Sequence, residues 1–552
     1  MLEAVSMVAV LAAPFTLLVY AFLATTGIIR RGGRITMLKY FGGLGIISSI
    51  AGICLVLSAG TLESPLFGWS ALGLLFRIDS LSMTMMTMIA ILGFVIIRFS
   101  VNYLDGDPRK NIFLGRLATT IASVEMLVLS GNLFQILAFW VITSVCLHYL
   151  LVFYRNRPQA VAAARKKFIV ARLADLSLLI SFMLIYSLTG TGNLGEIFSQ
   201  IQSNTIDNGQ LTTASIFLVI AAVLKSAQFP THSWLIEVVE TPTPVSALLH
   251  AGLLNAGPFL IVRMSLMMTE STAASLMLIS IGGLTALFAS IIYLTQSSIK
   301  VALGYSSIAH MGFSLLICGF GVYSAALLHV VAHSYYKAHS FLSSGSVIDG
   351  VRSHTIYVPK RSGNTYRVIL SLIASGTVFL IVCQLFNIDL DQNFNLVATG
   401  AIIVLGLSQL VVSTIDTKGS INAIAYAIVA SMLVTVSFFA LEGGVSMVLG
   451  SQIPAENTPS NVIQAGAMIM LSLFTMAILI QLFSPRLGRL SWTKTVGIHI
   501  RNGLYANVIF DRMIGSLKHD KFKWANLSVK EDIPEISVIE PDLKSLEIPT
   551  KH

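Results

Sequence analysis

Apolar runs recur along almost the whole chain, separated by short polar segments. Each is long enough to cross about 30 Å of hydrocarbon as a helix, which rises about 1.5 Å per residue. The pattern therefore predicts an all-α polytopic membrane protein with about fifteen transmembrane helices. The runs lie near residues 5–29, 41–60, 80–104, 112–130, 132–154, 167–189, 211–229, 243–266, 273–294, 299–320, 322–349, 366–386, 394–413, 420–440 and 462–483.

The composition supports the same class. Of the 552 residues, 55% are hydrophobic and 11% are charged, whereas a soluble domain carries roughly 25% charged residues. The first run is too long for the apolar part of a signal peptide and has no clear cleavage site, so we expect it to remain as the first span. The net charge of +9 does not indicate nucleic-acid binding, because the basic residues collect in short loops.

Basic residues occupy alternate loops. One set of loops contains most of them, whereas the other set contains only Arg77 and Arg263 together with several acids. Because Lys and Arg concentrate in cytoplasmic loops, we expect the N-terminus outside and the C-terminus in the cytoplasm. The basic set comprises Arg30 to Lys39, Arg98 to Arg116, Arg155 to Lys167, Lys300, Arg352 to Arg367 and Lys418.

The composition changes after Ser484-Pro485. We expect residues 1–484 to form the transmembrane domain and residues 485–552 to form a cytoplasmic tail. The tail pattern predicts a short amphipathic stretch near residues 504–517, followed by an extended segment. That segment is expected to rest on the membrane surface, to contact a partner or to remain flexible.

Lys225 stands in an otherwise apolar run, five residues before Pro230. A cation in hydrocarbon costs at least ~2.5–3.5 kcal/mol on insertion scales, and proline breaks or bends a helix. A broken helix with an ionisable residue at the break is typical of ion sites in membrane proteins. His250, in the next run, is either an ordinary core histidine or a proton-exchange partner for that lysine.

Arg172 and Asp175 also lie in an apolar run, three positions apart and therefore on one helix face. They predict an ion pair that either locks two helices together or contributes to an ion site. The neighbouring Lys166 and Lys167 are interpreted as ordinary interfacial lysines.

His329, His333 and Lys337 follow one another at intervals of four residues, so they share one helix face. Three titratable groups in a row favour a proton wire through water. A structural stripe and a zinc site built on the two histidines are the alternatives. No nearby His, Cys or acid supplies a third zinc ligand, and the four cysteines lack pairing or metal spacing. We therefore expect no metal or other cofactor in this chain.

These residues carry a resemblance to a known family. The segments at 225–230 (Lys-Ser-Ala-Gln-Phe-Pro) and 243–251 (Thr-Pro-Val-Ser-Ala-Leu-Leu-His-Ala), with the histidine–lysine stripe, resemble the antiporter-like membrane subunits of respiratory complex I and of Mrp sodium/proton antiporters. The resemblance covers roughly residues 75–350. It implies two inverted five-helix repeats, each containing a broken helix, joined by a central polar axis.

The resemblance also implies roles for individual residues. Lys225 matches the family's first-half lysine and His250 its neighbour, while His329, His333 and Lys337 match the central relay. The Arg172 and Asp175 pair occupies the corresponding Arg…Asp positions.

Two departures from the family pattern are visible. The family's glutamate partner of the first lysine follows a Trp, but here Trp140 is followed by Val141. The second-half lysine has no counterpart, because residues 366–386 contain no Lys or Glu after Arg367. Glu125 lies at a similar depth in the preceding span, and we hypothesise that it replaces the missing glutamate as the partner of Lys225.

With these losses, the chain resembles more closely the membrane subunit of the two-part, DAB-type inorganic-carbon accumulating complex. That resemblance implies a multi-pass protein of the bacterial inner membrane that conducts protons or sodium. It implies a cytoplasmic zinc partner resembling β-carbonic anhydrase, in which cation flow drives hydration of CO₂ to bicarbonate, so this chain is not itself expected to be an enzyme. A redox-driven pump subunit, a sodium/proton antiporter module and an assembly scaffold remain the alternatives.

Overall fold

The structure is a computed structural model, and it describes residues 2–26, 31–68, 72–203, 206–345, 363–417, 420–454, 460–488 and 491–514. Two short strands, β1 (Leu62–Glu63) and β2 (Arg77–Ile78), pair antiparallel. The helices are α1 (Leu2–Thr26), α2 (Arg31–Ala59), α3 (Ser80–Tyr103), α4 (Lys110–Val128), α5 (Leu133–Leu151), α6 (Pro158–Thr189), α7 (Leu194–Gln202), α8 (Asn208–Lys225), α9 (Ser233–Glu237), α10 (Thr243–Ala251), α11 (Ala256–Arg263), α12 (Ser265–Thr269), α13 (Thr272–Tyr293), α14 (Ile299–Gly319), α15 (Tyr323–Leu342), α16 (Thr365–Leu385), α17 (Phe394–Asp416), α18 (Ile421–Leu449), α19 (Asn461–Leu482), α20 (Ser484–Leu487), α21 (Ser491–Arg501) and α22 (Ala506–Ile514).

The all-α polytopic class is confirmed. Within the described ranges, 14 helical stretches are long and apolar enough to cross a membrane. They coincide with all but one of the predicted apolar runs. The remaining run corresponds to α15, a helix of 20 residues whose histidines and lysine make it less apolar. The relation between two inverted repeats stays a prediction.

Polar residues in the loops begin several of the spans. Asp79 accepts a hydrogen bond from the backbone N–H of Ser82 at the start of α3, and Asn132 accepts one from Phe134 at the start of α5. A side-chain oxygen at this position satisfies one of the N–H groups that the first helical turn leaves unpaired. The loop residue therefore stabilises the first turn of each of these two spans.

The helices that carry the titratable residues pack directly on one another. α6 packs on α8, α10 packs on α15, and α14 packs on both α13 and α15. α13 and α14 are in backbone contact, since a Cβ built on Gly282 would lie 2.7 Å from the carbonyl oxygen of Gly312. Because only glycine permits this approach, the two glycines allow α14 to pack closely on α13.

The resemblance implies a broken helix in the second repeat. Within the described residues, α16 shows no break and is continuous over Thr365–Leu385. Residues 346–362, which precede it, lie outside the described part of the chain.

The described part of the tail is docked on the bundle. After α20, this part consists of α21, the turn Gly503–Tyr505 and α22. The turn and α22 overlap the predicted amphipathic stretch, and α21 precedes it. This segment contacts α9 and α13, and a Cβ on Gly503 would lie 2.8 Å from the hydroxyl oxygen of Tyr305. The predicted extended segment after residue 514 lies outside the described residues.

Candidate ion pathway

The predicted helix break beside Lys225 is confirmed. α8 ends at this residue, and α9 begins only at Ser233. Between them, Ala227 has a φ of 51°, a left-handed conformation that is uncommon for a residue with a side chain. Gly257 on α11 leaves room for the broken segment, because a Cβ there would lie 2.0 Å from Ser226 Oγ.

Two lysine side chains near the break donate hydrogen bonds to uncharged oxygen atoms. Lys225 Nζ donates to the carbonyl oxygen of Trp140 at 3.0 Å and lies 4.2 Å from the centre of that indole ring. Lys167 Nζ donates to the carbonyl and hydroxyl oxygens of Ser144 at 2.7 and 2.8 Å. Both lysines therefore lie against the same face of α5, and Lys167 is a site residue that the sequence analysis missed.

The interpretation of Lys166 and Lys167 as interfacial lysines is wrong. They are only 4% and 5% exposed, and Lys166 forms ion pairs with Glu237 at 2.7 Å and with Asp511 of the tail. α6 begins at Pro158, so both lysines lie more than two turns inside the helix rather than at its end. The apolar run alone did not reveal this longer helix.

The predicted pair of Arg172 and Asp175 is confirmed as an ion pair, with Nη2 and Oδ2 2.7 Å apart. The angles do not make a hydrogen bond, so both groups retain unused hydrogen-bonding capacity. The two are also the charged groups whose fields act on Lys225. Lys167, Arg172, Asp175 and Lys225 thus form one group, which we call the lysine cluster, with three cations and one carboxylate.

The predicted ion pair between Glu125 and Lys225 is not formed. Neither residue takes part in any salt bridge among the described residues. Glu125 is 1% exposed, and its Oε1 lies 3.7 Å from the position that a Cβ on Gly45 would occupy. The carboxyl group therefore faces α2. Similar depth in the membrane did not determine which neighbouring helix each side chain faces.

A third histidine, on the neighbouring helix α14, lies against the two histidines of the predicted stripe on α15. His310 on α14 places Nδ1 3.2 Å from Nε2 of His329, and its ring centre lies 4.7 Å from that of His333. The rings of His329 and His333 are 6.1 Å apart, so His310 bridges two residues of the same helix. His310 was not predicted from the sequence, because a single polar residue in an apolar run gives no periodicity.

Lys337 and His250 extend this group. Lys337 is fully buried, and its Nζ donates to the carbonyl oxygen of Leu303 at 3.3 Å. His250 stacks on Phe341 with ring centres 4.3 Å apart and lies in the field of Lys337. His333 has no hydrogen-bond partner on either ring nitrogen within the described residues. We call His250, His310, His329, His333 and Lys337 the histidine cluster.

The structure does not bring the two clusters into direct contact. No hydrogen bond or ion pair between described residues joins Lys225 to His250. Polar groups do lie between them: Asn255 donates to the hydroxyl of Ser334 at 2.7 Å, and its Oδ1 is unpaired. Asn255 belongs to the 3₁₀ turn Leu253–Asn255 that interrupts the helix after His250, a second break that the sequence did not predict.

A buried charge network at the start of α3 was also missed. Asp79, with no exposed surface, contacts Arg263 Nη1 at 2.5 Å and Arg77 Nε at 2.8 Å. Arg77 in turn binds Glu63 at 2.6 Å. Arg77 and Arg263 were interpreted from the sequence as loop residues. Asp79 and Arg263 are far apart along the chain, so their contact was not predictable from it. The contact connects the β1–β2 pair to the end of α11.

A buried acid lies at the start of α15. Glu442 on α18 is 5% exposed and accepts a hydrogen bond from the hydroxyl of Ser324. From the sequence, Glu442 was interpreted as an acid in a loop. Since Ser324 is five residues before His329, this carboxylate lies beyond the histidine cluster, toward the end of α15 that is predicted to face outside.

The described residues contain no group of three or more His, Cys, Asp or Glu arranged to hold a metal ion. The histidine cluster brings three imidazoles together, but His310 and His329 already contact each other through their ring nitrogens. What the two clusters offer chemically is proton exchange and ion binding.

Two family models match the chain, and one of them spans both clusters. The model described as NADH:quinone oxidoreductase/Mrp antiporter, TM, matches residues 130–367, and the model described as NADH-Ubiquinone oxidoreductase (complex I), chain 5 N-terminus, matches residues 68–114. Together they span just over half of the sequence. The chain belongs to this family of antiporter-like membrane subunits. Its members include proteins of several different complexes.

Curated relatives of this antiporter-like subunit fall into two groups. The probable inorganic carbon transporter subunit DabB2 of Halothiobacillus neapolitanus is 38% identical over 362 residues, which cover 66% of this chain and 65% of that protein. Subunit DabB of Hydrogenovibrio crunogenus is also 38% identical, over 49% of this chain and 53% of that protein. The chloroplastic NAD(P)H-quinone oxidoreductase subunit 5 of Nandina domestica is 36% identical over 52% of this chain and 40% of that protein. These matches therefore span less than two thirds of the relatives' lengths.

Solved structures share the fold of this family member. The Mrp complex of a Dietzia species aligns over 93% of this chain and 59% of its own, with a TM-score of 0.61 and 19% identity. An archaeal membrane-bound sulfane sulfur reductase aligns over 92% of this chain and 99% of its own, with a TM-score of 0.56 and 18% identity. At these identities the likeness concerns the fold alone.

Proposed function

We propose that this chain conducts a cation, a proton or sodium, through the membrane and couples that flow to inorganic-carbon accumulation by a cytoplasmic partner. One observation carries the first half of the proposal: five titratable side chains from α10, α14 and α15 lie side by side within the bundle. Such groups are costly in a membrane and are retained mainly on ion and proton routes. Imidazoles in contact exchange protons near neutral pH.

The proposed route includes both clusters. The charges of Arg172 and Asp175 set the electrostatic field that an ion meets near Lys225. The histidine cluster then carries a proton between α10 and α15 toward Ser324 and Glu442. The unpaired Oδ1 of Asn255 gives bridging water a place to bind between the clusters. Glu125 faces α2 instead, and its participation stays a prediction.

The second half of the proposal concerns the partner. The relatives named as inorganic carbon transporter subunits support a role in taking up inorganic carbon. We propose that the CO₂-hydrating chemistry belongs to a zinc-containing partner that resembles β-carbonic anhydrase. In this view the present chain supplies energy through its ion flow and is not itself an enzyme.

A growth test examines the whole proposal. The chain is expressed in a carbonic-anhydrase-deficient bacterium at air-level CO₂, alone or with the product of its neighbouring gene. Growth is expected only when both are present, and Lys225→Ala should abolish it at unchanged membrane abundance. Growth that persists in this variant would contradict a role of the lysine cluster in ion flow and favour an assembly scaffold.

A second candidate is a proton-pumping or sodium/proton antiporter subunit of a larger complex. It is favoured by the 36% identity to a NAD(P)H-quinone oxidoreductase subunit. Co-purification separates the two candidates: a zinc protein supports carbon accumulation, whereas quinone-reducing, hydrogenase or further antiporter subunits support the second.

A further inference from the structure

A small cavity, open on one side, lies beside the broken helix. Hydrocarbon side chains form most of its wall. The polar residues that line it come from α5, α6, α8 and α9: Thr143, Ser144, Lys167, Lys225 and Trp234. Among the described lining residues there is no carboxylate, amide or imidazole, so every polar side chain at this wall carries an N–H or O–H donor.

Positive charge exceeds negative charge around the cavity. Lys167 and Lys225 both line it, and neither forms a salt bridge with any described residue. The other titratable groups that face Lys167 are Arg172, Asp175, Cys146 and His148. Asp175 is the one carboxylate in this group and it pairs with Arg172, so three cations share a single negative charge.

The cavity wall also contains unpaired donors. The Thr143 hydroxyl and the indole N–H of Trp234 have no hydrogen-bond partner among the described residues, although the two residues are only 1% and 3% exposed. Lys225 uses one of its three N–H groups on Trp140, and Lys167 uses two of its three on Ser144. An acceptor in the cavity would therefore satisfy up to five donors.

We propose that this cavity binds a small monovalent anion, such as chloride or bicarbonate. An anion supplies what the wall lacks, namely negative charge and an excess of hydrogen-bond acceptors. Water would satisfy some of the donors but would leave the surplus of positive charge in an apolar enclosure. The site depends on the residues of this chain alone and would hold an anion whichever cation moves through the protein.

Iodide tests the proposal, because it quenches tryptophan fluorescence on contact and the indole of Trp234 lines the cavity. The purified full chain is titrated with iodide at constant ionic strength, with gluconate as the replacement anion. We expect a saturable quenching component that Trp234→Phe diminishes. Chloride and bicarbonate are then added separately as competitors, which shows which of the two the site prefers.

Two variants and a control make the test specific. Lys167→Gln should weaken iodide affinity about tenfold or more, as expected for a charged hydrogen bond, and Thr143→Val about threefold, as expected for a neutral one. Lys494→Gln, at an exposed lysine of the tail, should leave the affinity unchanged. Quenching that rises only linearly with iodide, or that is equal in Lys167→Gln and the parent, would overturn the proposal and indicate unprotonated lysines around a water-filled cavity.

Discussion

His310 and His329 join two helices through their ring nitrogens, which lie 3.2 Å apart. For this contact to be a hydrogen bond, one imidazole must donate its N–H to an unprotonated nitrogen of the other. The two rings therefore cannot both be imidazolium groups. The same His310 ring lies 4.7 Å from the ring of His333. It therefore connects two histidines of α15 that are 6.1 Å from each other.

Replacing His310 should interrupt proton transfer. His310→Phe keeps an aromatic ring of similar size on α14 but removes both nitrogens, so we expect proton flux into proteoliposomes to fall about tenfold or more. His499→Phe, at an exposed histidine of the tail, is the matched control and should conduct normally. Normal flux in the His310 variant would show that the route does not pass through this ring.

Lys225 should be coupled to Asp175 and not to Glu125. In a double-mutant cycle for ion flux, Asp175→Asn and Lys225→Gln are expected to be non-additive because the two charges act on each other. Glu125→Gln and Lys225→Gln are expected to be additive. A strong interaction in the second cycle would mean that Glu125 reaches Lys225 in another conformation.

The Asp79–Arg263 pair should be a main contributor to stability. Removing one member of a buried pair leaves an uncompensated charge, so Asp79→Asn and Arg263→Leu should each lower the free energy of unfolding by about 3–5 kcal/mol. The measurement is thermal unfolding of the purified protein in detergent. Asp105→Asn, at an exposed pair with Lys110, is the control and should not shift the midpoint. Equal midpoints for all three variants would contradict the prediction.

A loop contact gives a prediction for alkaline pH. Tyr154 donates a hydrogen bond to Asp107 at 2.6 Å, and burial, together with this carboxylate, raises the pKa of the Tyr154 phenol to about 12. Since an unfolded tyrosine titrates near 10, the contact contributes fully below that pH and is lost as the pH rises through 12. Subtracting the ultraviolet titration of Tyr154→Phe from that of the parent should leave one phenol with a midpoint near 12. A midpoint near 10 would show that the contact does not form.

The docked segment of the tail should depend on Lys166. Asp511→Asn removes one of the two acids paired with that lysine, so residues 491–514 should become more susceptible to trypsin at Arg501 and Arg512. Glu196→Gln, at an acid on α7 outside this contact, is the comparison variant. An unchanged cleavage rate in Asp511→Asn would mean that the contacts at Tyr305 and Gly503 hold the segment without the ion pair.

The sequence predicted the features that depend on local order. The apolar runs located the spans, Pro230 and Lys225 located the break, and the spacing of His329, His333 and Lys337 placed them on one face. Contacts between distant segments were not predictable in this way. His310 gave no periodic signal, and the pairing of Asp79 with Arg263 depends on how α3 and α11 pack.

Charged residues near the ends of apolar runs were the other source of error. Lys167 was assigned to the membrane surface because the apolar run begins there, whereas α6 starts at Pro158 and carries the lysine into the bundle. The position of Glu125 along its helix was informative about depth. The face on which it lies depends on the packing of α2 and α4, which a single sequence does not display.

The break after α8 also has an electrostatic consequence. Lys225 occupies the last turn of that helix. The final carbonyl groups accept no hydrogen bond from within the helix, and together they act as roughly half a negative charge. In an uninterrupted span this pole would lie at the lipid headgroups. Ending the helix early brings the pole into the interior, where it offsets part of the positive charge of Lys225 without any acidic side chain.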